Sequence, residues 1–186
     1  MPYRNANYCA FYVDEPFDAC NLGYNVAHDF CFYRQLQAWK ERNPSFPFVD
    51  AHQKTYSVRD GSDWEGTLKP RLHERLRNSK NIILFLSNIT KNSRALHEEI
   101  EYGIGSCGLP VIVIYPDFKE KIEIAYDGYL TGQVKKLWDR LLIFRELMQE
   151  VAVFHVPYQK VLIEHALMDK DFMVDTMGKP DNYWYK

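Results

Sequence analysis

The stretch "NIILFLSNITKNSRALHEEIEYGIGSCGLPVIVIYP", residues 81–116, decides the fold of this chain. Residues 81–87 and 109–116 are continuous apolar runs with polar borders, a pattern typical of central parallel strands that are buried on both faces. The residues between them carry apolar side chains at helical spacing, and these form one stripe: Leu96, Ile100, Ile104 and Cys107. Strand, helix and strand in this order predict a right-handed crossover between parallel strands.

The rest of the chain extends the same alternation. Further strands are predicted at 7–13, 46–50 and 152–157. Helices are predicted at 26–42, 131–150 and 158–169, and another is opened by the capping-box residues Ser62 and Glu65. We therefore predict an α/β protein with a flavodoxin-like, doubly wound, five-stranded parallel sheet and helices on both faces. In such folds ligands bind outside the carboxyl ends of the strands, where the long polar loop 51–63 is also expected.

The amino-acid composition of the chain excludes several classes of function. The 186 residues fit one domain, and the formal net charge of −2 argues against a general nucleic-acid-binding surface. No apolar run approaches the roughly 20 residues of a membrane span, and the N-terminus lacks the features of a secretory signal. The four cysteines form neither a CxxC pair nor a zinc-type cluster. We expect a cytoplasmic protein with reduced cysteines and no metal, nucleic-acid partner or membrane partner.

Several common active-site motifs are absent from the sequence. There is no G-x-x-x-x-G-K-[ST] phosphate loop, no G-x-G-x-x-G after the first strand and no G-x-S-x-G. A receiver-type phosphoacceptor needs an aspartate at the end of the third strand, where this chain has Ser87 and Asn88. These absences disfavour a Rossmann dehydrogenase, a serine hydrolase and a phosphorelay protein.

Two adjacent glutamates lie in the helix that follows the third predicted strand. A projection at about 100° per residue places Glu98 almost opposite the apolar stripe, which predicts a surface charge. Glu99 falls on the flank of the stripe, beside Leu96 and Gly103. The glycine lets another chain segment come close to that flank and predicts a cleared space beside Glu99. On the helix alone Glu99 is either a half-buried structural carboxylate or a functional one. The topology favours the functional interpretation, because this helix begins at the carboxyl end of a central strand.

Three segments together resemble bacterial TIR-like domains: "LQAWKERNPSFPFVDAH" (36–52), "RLHERLRNSKNIILFLSNITKNS" (71–93) and "EEIEYGIGSCGLPVIVIY" (98–115). The resemblance is to the stand-alone TIR-like proteins that include the Thoeris antiphage-defence sensor. It covers about residues 7–118, and 119–186 resembles a C-terminal extension found in such proteins. It implies a single TIR-like domain over 1–186.

The resemblance also implies an activity. Enzymatic TIR domains cleave the nicotinamide–ribose bond of NAD, and some produce cyclic ADP-ribose isomers. NAD is then the substrate, and no further cofactor is needed. The catalytic glutamate of the family, often in a W-x-x-x-E pattern, matches Glu99, whereas the tryptophan position holds Ala95. The resemblance further implies self-assembly through TIR–TIR contacts and a downstream effector that is reached by a diffusible nucleotide signal.

The proposed chemistry needs a carboxylate beside the ribose and aromatic surface for the base. Further substrate-binding candidates lie where the predicted strands end or in the loop after the second one: Phe11, Tyr12, Asp50, His52, Arg59 and Ser87. Phe11 and Tyr12 either stack on the base or pack in the core. Asp50 and His52 either bond the ribose or adenine or cap their loop. Arg59 either binds the pyrophosphate or is solvated, and Ser87 has a side chain small enough for close approach to a ligand.

Two other functions remain open at this point. The Ala95 departure favours a non-enzymatic TIR-like signalling or assembly module, in which Glu99 is structural. A nucleoside-processing transferase with a related sheet and a catalytic glutamate is a third possibility.

Overall fold

The computed structural model describes residues 4–12, 28–52 and 63–186. A five-stranded sheet forms its centre, in the order β1-β2-β3-β6-β7 with every neighbouring pair parallel. The strands are β1 (Ala6–Ala10), β2 (Ser79–Phe85), β3 (Val111–Tyr115), β4 (Ala125–Tyr126), β5 (Tyr129–Leu130), β6 (Ala152–Pro157) and β7 (Asp181–Trp184). The helices are α1 (His28–Arg42), α2 (Lys69–Arg77), α3 (Arg94–Ile100), α4 (Lys121–Ile124), α5 (Gly132–Trp138), α6 (Leu142–Leu147) and α7 (Lys160–Met168).

Helices cover both faces of this sheet, and the predicted fold class is confirmed. In β2, Ile82 and Leu84 join the apolar cluster that contains residues of α2 and α3. Ile83 and Phe85 point the other way, into the cluster that contains residues of α1 and α7. All four are fully buried, because successive side chains of a strand point to opposite faces and both faces are covered here.

The predicted strand at 46–50 is largely wrong. It is reduced to a single parallel bridge between Asp50 and Asn7. Pro47 explains this in part, because proline has no N–H to donate to a strand ladder. The Asn7 N–H donates to the Val49 carbonyl at 2.6 Å, and the Asn7 carbonyl accepts from the Ala51 N–H at 3.1 Å. Since β1 pairs with β2 along its other edge, the chain order reverses at β1, as in a doubly wound sheet.

The C-terminal part also differs from the prediction. The fifth strand of the sheet is β7, in the tail for which no strand was predicted. The single helix predicted at 131–150 is two helices, α5 and α6, because the chain leaves helical geometry at Leu141 (φ −137°, ψ 75°). That break lets both Leu141 and Phe144 reach the core, where each is 0% exposed.

The capping box predicted at Ser62 and Glu65 is wrong as well. The π-helical turn Trp64–Leu68, which leads into α2, is capped by Asp63, whose carboxylate accepts from the Gly66 N–H at 2.7 Å. Glu65 instead pairs with Arg94 at 2.9 Å, and Ser62 lies outside the described residues. Within the described ranges, none of the helices is both long and apolar enough to cross a bilayer. That residues 1–186 form one domain stays a prediction.

Candidate functional site

Glu99 is carried by a helix whose start and packing follow from local sequence. The Ser93 hydroxyl accepts from the Leu96 N–H at 3.2 Å and caps α3, and a π-helical turn, Glu101–Ser106, continues the helix. The predicted stripe is confirmed for its first three members, since Leu96, Ile100 and Ile104 are at most 2% exposed. The fourth member, Cys107, is half-buried.

Other chain segments come close to Gly103, as predicted, but they fill the space that was expected to be clear. A Cβ at this position would lie 2.5 Å from Ile82 Cδ1 and 3.2 Å from Leu76 Cδ2. The glycine therefore serves close packing of the helix on β2 and α2, and it opens no cleft for a ligand.

The Glu99 carboxylate lies against the first strand. The Tyr8 hydroxyl, on β1, donates a hydrogen bond of 2.8 Å to Glu99 Oε1. Burial raises the pKa of the Glu99 carboxyl to about 8, although the Tyr8 hydrogen bond and the positive charge of Arg75 on α2 both lower it. A carboxyl group with such a pKa exchanges its proton near neutral pH, which is a property common among active-site acids.

His52 connects these groups. Its ring lies 4.8 Å from the Tyr8 ring, and Nε2 is 3.1 Å from the Cys9 carbonyl oxygen. Because a carbonyl can only accept, Nε2 carries the proton, and Nδ1 accepts from an Arg75 guanidinium N–H at 3.3 Å. Burial lowers the pKa of His52 to about 4, which keeps the ring neutral at physiological pH.

Asp50 and Phe11 extend the contacts of His52 to the face of the sheet opposite Tyr8. One Asp50 oxygen accepts from the Tyr33 hydroxyl at 2.8 Å and from Gln37 Nε2 at 2.9 Å, and the other accepts from the His52 N–H at 2.8 Å. Phe11 stacks on the Tyr33 ring at 5.3 Å, and the Tyr33 ring meets His52 at 5.7 Å. The structure thus links Phe11, Asp50, His52 and Glu99 in one contact network; here Asp50 caps its turn and Phe11 packs on α1.

The other candidates lie apart from that network. Tyr12 packs on the same core cluster as Tyr8, and the Lys91 ammonium is 5.6 Å from the centroid of its ring. Ser87 donates to Asp29 at 2.9 Å and lines a depression of about 250 Å³ between the ends of β2 and β3. Arg59 lies outside the described residues. The segments that follow β1 and His52, 13–27 and 53–62, do so too, so the cleft expected at Glu99 stays a prediction.

The prediction of a surface position for Glu98 is wrong. Its side chain is 16% exposed and bridges to α2, with Lys69 Nζ at 3.1 Å and His73 Nε2 at 2.7 Å. Burial acts to raise the pKa of Glu98, but the bonds from His73 and Lys69 outweigh it and leave that pKa below the ordinary value. The helical projection predicted the direction of this side chain, but it contains no information about a second helix packed on that side.

Sequence reasoning missed Tyr8 and Arg75, the two groups that set the environment of Glu99. Tyr8 lies in an apolar strand, where its ring was expected to pack and its hydroxyl had no assigned partner. Arg75 is one of three arginines in "RLHERLR" (71–77), and nothing in that pattern marks it as the one that turns inward.

Residues 8–121 match the family model of the Thoeris protein ThsB, TIR-like domain. The match covers more than half of the chain. It runs from β1 into α4 and so includes every member of the Glu99 network, but not the C-terminal elements that supply β6 and β7.

Proposed function

The chain belongs to the Thoeris ThsB family of TIR-like domains, which supports a role in antiphage defence, and from this premise we propose that it consumes NAD. In this proposal the protein cleaves the nicotinamide–ribose bond and releases a cyclic ADP-ribose-type signal that a downstream effector reads. Self-assembly through contacts between TIR-like domains belongs to the same proposal, as does a cytoplasmic location.

The observation that carries the proposal is the setting of the Glu99 carboxylate. Oε1 accepts from Tyr8, whereas Oε2 accepts no hydrogen bond from the described residues. An oxygen in this state is available to a ribose hydroxyl. The ionised form of the carboxyl, which a pKa of about 8 leaves as the minor form at neutral pH, stabilises the oxocarbenium character that develops at the anomeric carbon.

The bond changes require little else from the protein. The nicotinamide ring of NAD is positively charged and departs as a neutral base with the bonding electrons, so no general acid is needed. The anomeric carbon is then captured by water, which gives ADP-ribose, or by another nucleophile of the same molecule, which gives a cyclic isomer. Of the two predicted aromatic residues, we assign the contact with substrate on the Glu99 side to Tyr12, because it packs against the same core cluster as Tyr8.

The test compares wild-type protein with Glu99→Gln, which keeps shape and hydrogen-bonding capacity but removes the charge. Glu101→Gln is the matched control, because Glu101 begins the π-helical turn that continues α3 and has 58% of its side chain exposed. Cells that produce each protein are infected with phage, and extracted nucleotides are resolved by liquid chromatography and mass spectrometry. Infection supplies the trigger that TIR enzymes commonly need.

We expect NAD loss and a new ADP-ribose isomer with wild type and Glu101→Gln. Glu99→Gln should lose at least about 100-fold in rate, roughly 3 kcal/mol of transition-state stabilisation. Equal NAD consumption by Glu99→Gln and wild type would show that Glu99 does not carry the chemistry.

A specific observation favours one alternative, the non-enzymatic assembly module. Glu99 already has a protein partner in Tyr8 and a nearby cation in Arg75, as a structural carboxylate would, and Ala95 replaces the motif tryptophan. Protection against phage by Glu99→Gln, with NAD unchanged in every strain, would favour this module over the enzyme.

A further inference from the structure

Two of the groups around Glu99, Tyr8 and Arg75, have no predicted substrate role. Tyr8 reaches it from β1 and Arg75 from α2. Among the described residues, Cys9, His52 and Asp50 are further titratable groups of this network. Tyr8 is 1% exposed, so its hydroxyl is committed to Glu99 and not to solvent.

We propose that Tyr8 and the His52–Arg75 pair are positioning residues: Tyr8 fixes one oxygen of the Glu99 carboxylate, and His52 holds the Arg75 guanidinium on the Glu99 side of α2. The inference deepens the proposed function and depends on it for the catalytic meaning of Glu99. It also changes the role expected for His52, from a substrate ligand to a residue that acts through Arg75.

The contacts of His52 carry this reassignment. Both ring nitrogens already have protein partners, the Cys9 carbonyl and the Arg75 guanidinium, so neither is left for ribose or adenine. The bond to the β1 backbone fixes the ring in the plane that presents Nδ1 to α2. An acceptor at that point holds the guanidinium near Glu99, whose charged form the Arg75 cation favours.

Tyr8 acts on the same carboxylate from the other side. A phenolic O–H that donates to a carboxylate favours the charged form and orients the acceptor oxygen. With Oε1 held in this way, Oε2 is left as the oxygen that would face a substrate hydroxyl.

The decisive measurement is the titration of Glu99 itself, which does not depend on NAD chemistry. Full-length protein labelled with ¹³C at glutamate carboxyl carbons is titrated by NMR, and the Glu99 signal is assigned by its absence from Glu99→Gln. The variants are Tyr8→Phe, His52→Ala, Arg75→Met and Arg75→Lys. The control is Tyr115→Phe, because Tyr115 is a fully buried tyrosine of the same core cluster whose hydroxyl bonds to His155 instead.

We expect the Glu99 midpoint to rise by about one pKa unit in Tyr8→Phe and in Arg75→Met. His52→Ala should shift it in the same direction, Arg75→Lys should restore part of the shift, and Tyr115→Phe should match wild type. Thermal melts verify that each variant is folded.

An unchanged Glu99 midpoint in folded Tyr8→Phe, or in folded His52→Ala, would overturn the inference. The expected shifts, together with infected wild-type cells that consume no NAD, would support the positioning contacts and refute the enzymatic function. The two proposals therefore fail in distinguishable ways.

Discussion

Replacing Glu99 by glutamine should make the protein more stable, and the gain should grow as the pH rises. The folded protein holds the Glu99 pKa near 8, whereas an ordinary glutamate has a value of 4.5. Between these two values the unfolded chain has released the Glu99 proton and the folded chain has kept it. A higher pH therefore favours unfolding. The stability that Glu99 contributes is fully present below pH 4.5 and is lost as the pH rises through about 8.

The size of the effect follows from the pKa difference. Between about pH 5 and about pH 8, the contribution of Glu99 to the unfolding free energy falls by about 3.5 kcal/mol. Because Glu99 keeps part of its surface in solvent, we expect about 2 to 3 kcal/mol. For a chain of this length that is a shift of about 5 to 10 °C in the melting temperature.

Glutamine cannot ionise, so Glu99→Gln lacks this pH dependence and still accepts from the Tyr8 hydroxyl. The assay is a series of thermal melts of both proteins across that pH interval, with Glu101→Gln as an exposed-charge control. Taking the difference between wild type and variant cancels groups that titrate in both, and the lowered pKa of His52, about 4, keeps it neutral throughout. Parallel curves for wild type and Glu99→Gln would refute the reasoning, since Glu99 would then titrate alike in both states.

Three further predictions test the packing around the site and at the far edge of the sheet. Glu98→Gln should cost about 1 kcal/mol near neutral pH, because it weakens the bridge to α2. Melts should show that this cost is lost as the pH falls below 4.5, the ordinary value, since the pKa of that carboxylate is lowered in the fold. Gly103→Ala should destabilise the fold by about 1 kcal/mol, because the new Cβ would lie 2.5 Å from the Ile82 Cδ1 methyl group. Ile82→Val removes that methyl group and should recover much of the loss in a double-mutant cycle. Additive effects of the two substitutions would show that the two side chains do not meet. The Asn182 side-chain oxygen accepts from the buried ring N–H of His155 at 2.7 Å, so Asn182→Ala leaves that N–H without its acceptor. We expect denaturant unfolding to show a loss of about 1 to 3 kcal/mol in unfolding free energy, and a neutral result would mean that the N–H finds another acceptor.

The apolar pattern of the sequence was sufficient to predict the layered fold. The runs that became β2 and β3 have side chains buried on both faces, and burial on both faces requires helices above and below a parallel sheet. The spacing of Leu96, Ile100 and Ile104 likewise predicted which side of α3 meets the core, and thereby the flank on which Glu99 lies.

Only the tertiary structure decided which polar groups meet. Tyr8 and Glu99 are 91 positions apart, and the partners of Glu98 come from a helix that a projection of α3 does not include. Tertiary pairing also decided which segments belong to the sheet. Residues 181–184 pair with β6 and form β7, whereas residues 46–50, which include a proline, make one bridge to β1. Hydrophobic periodicity predicts which side chains are buried, because the face on which a side chain lies depends on its own helix or strand. Hydrogen bonds and ion pairs depend on residues distant in sequence, which only folding brings within about 3 Å of each other.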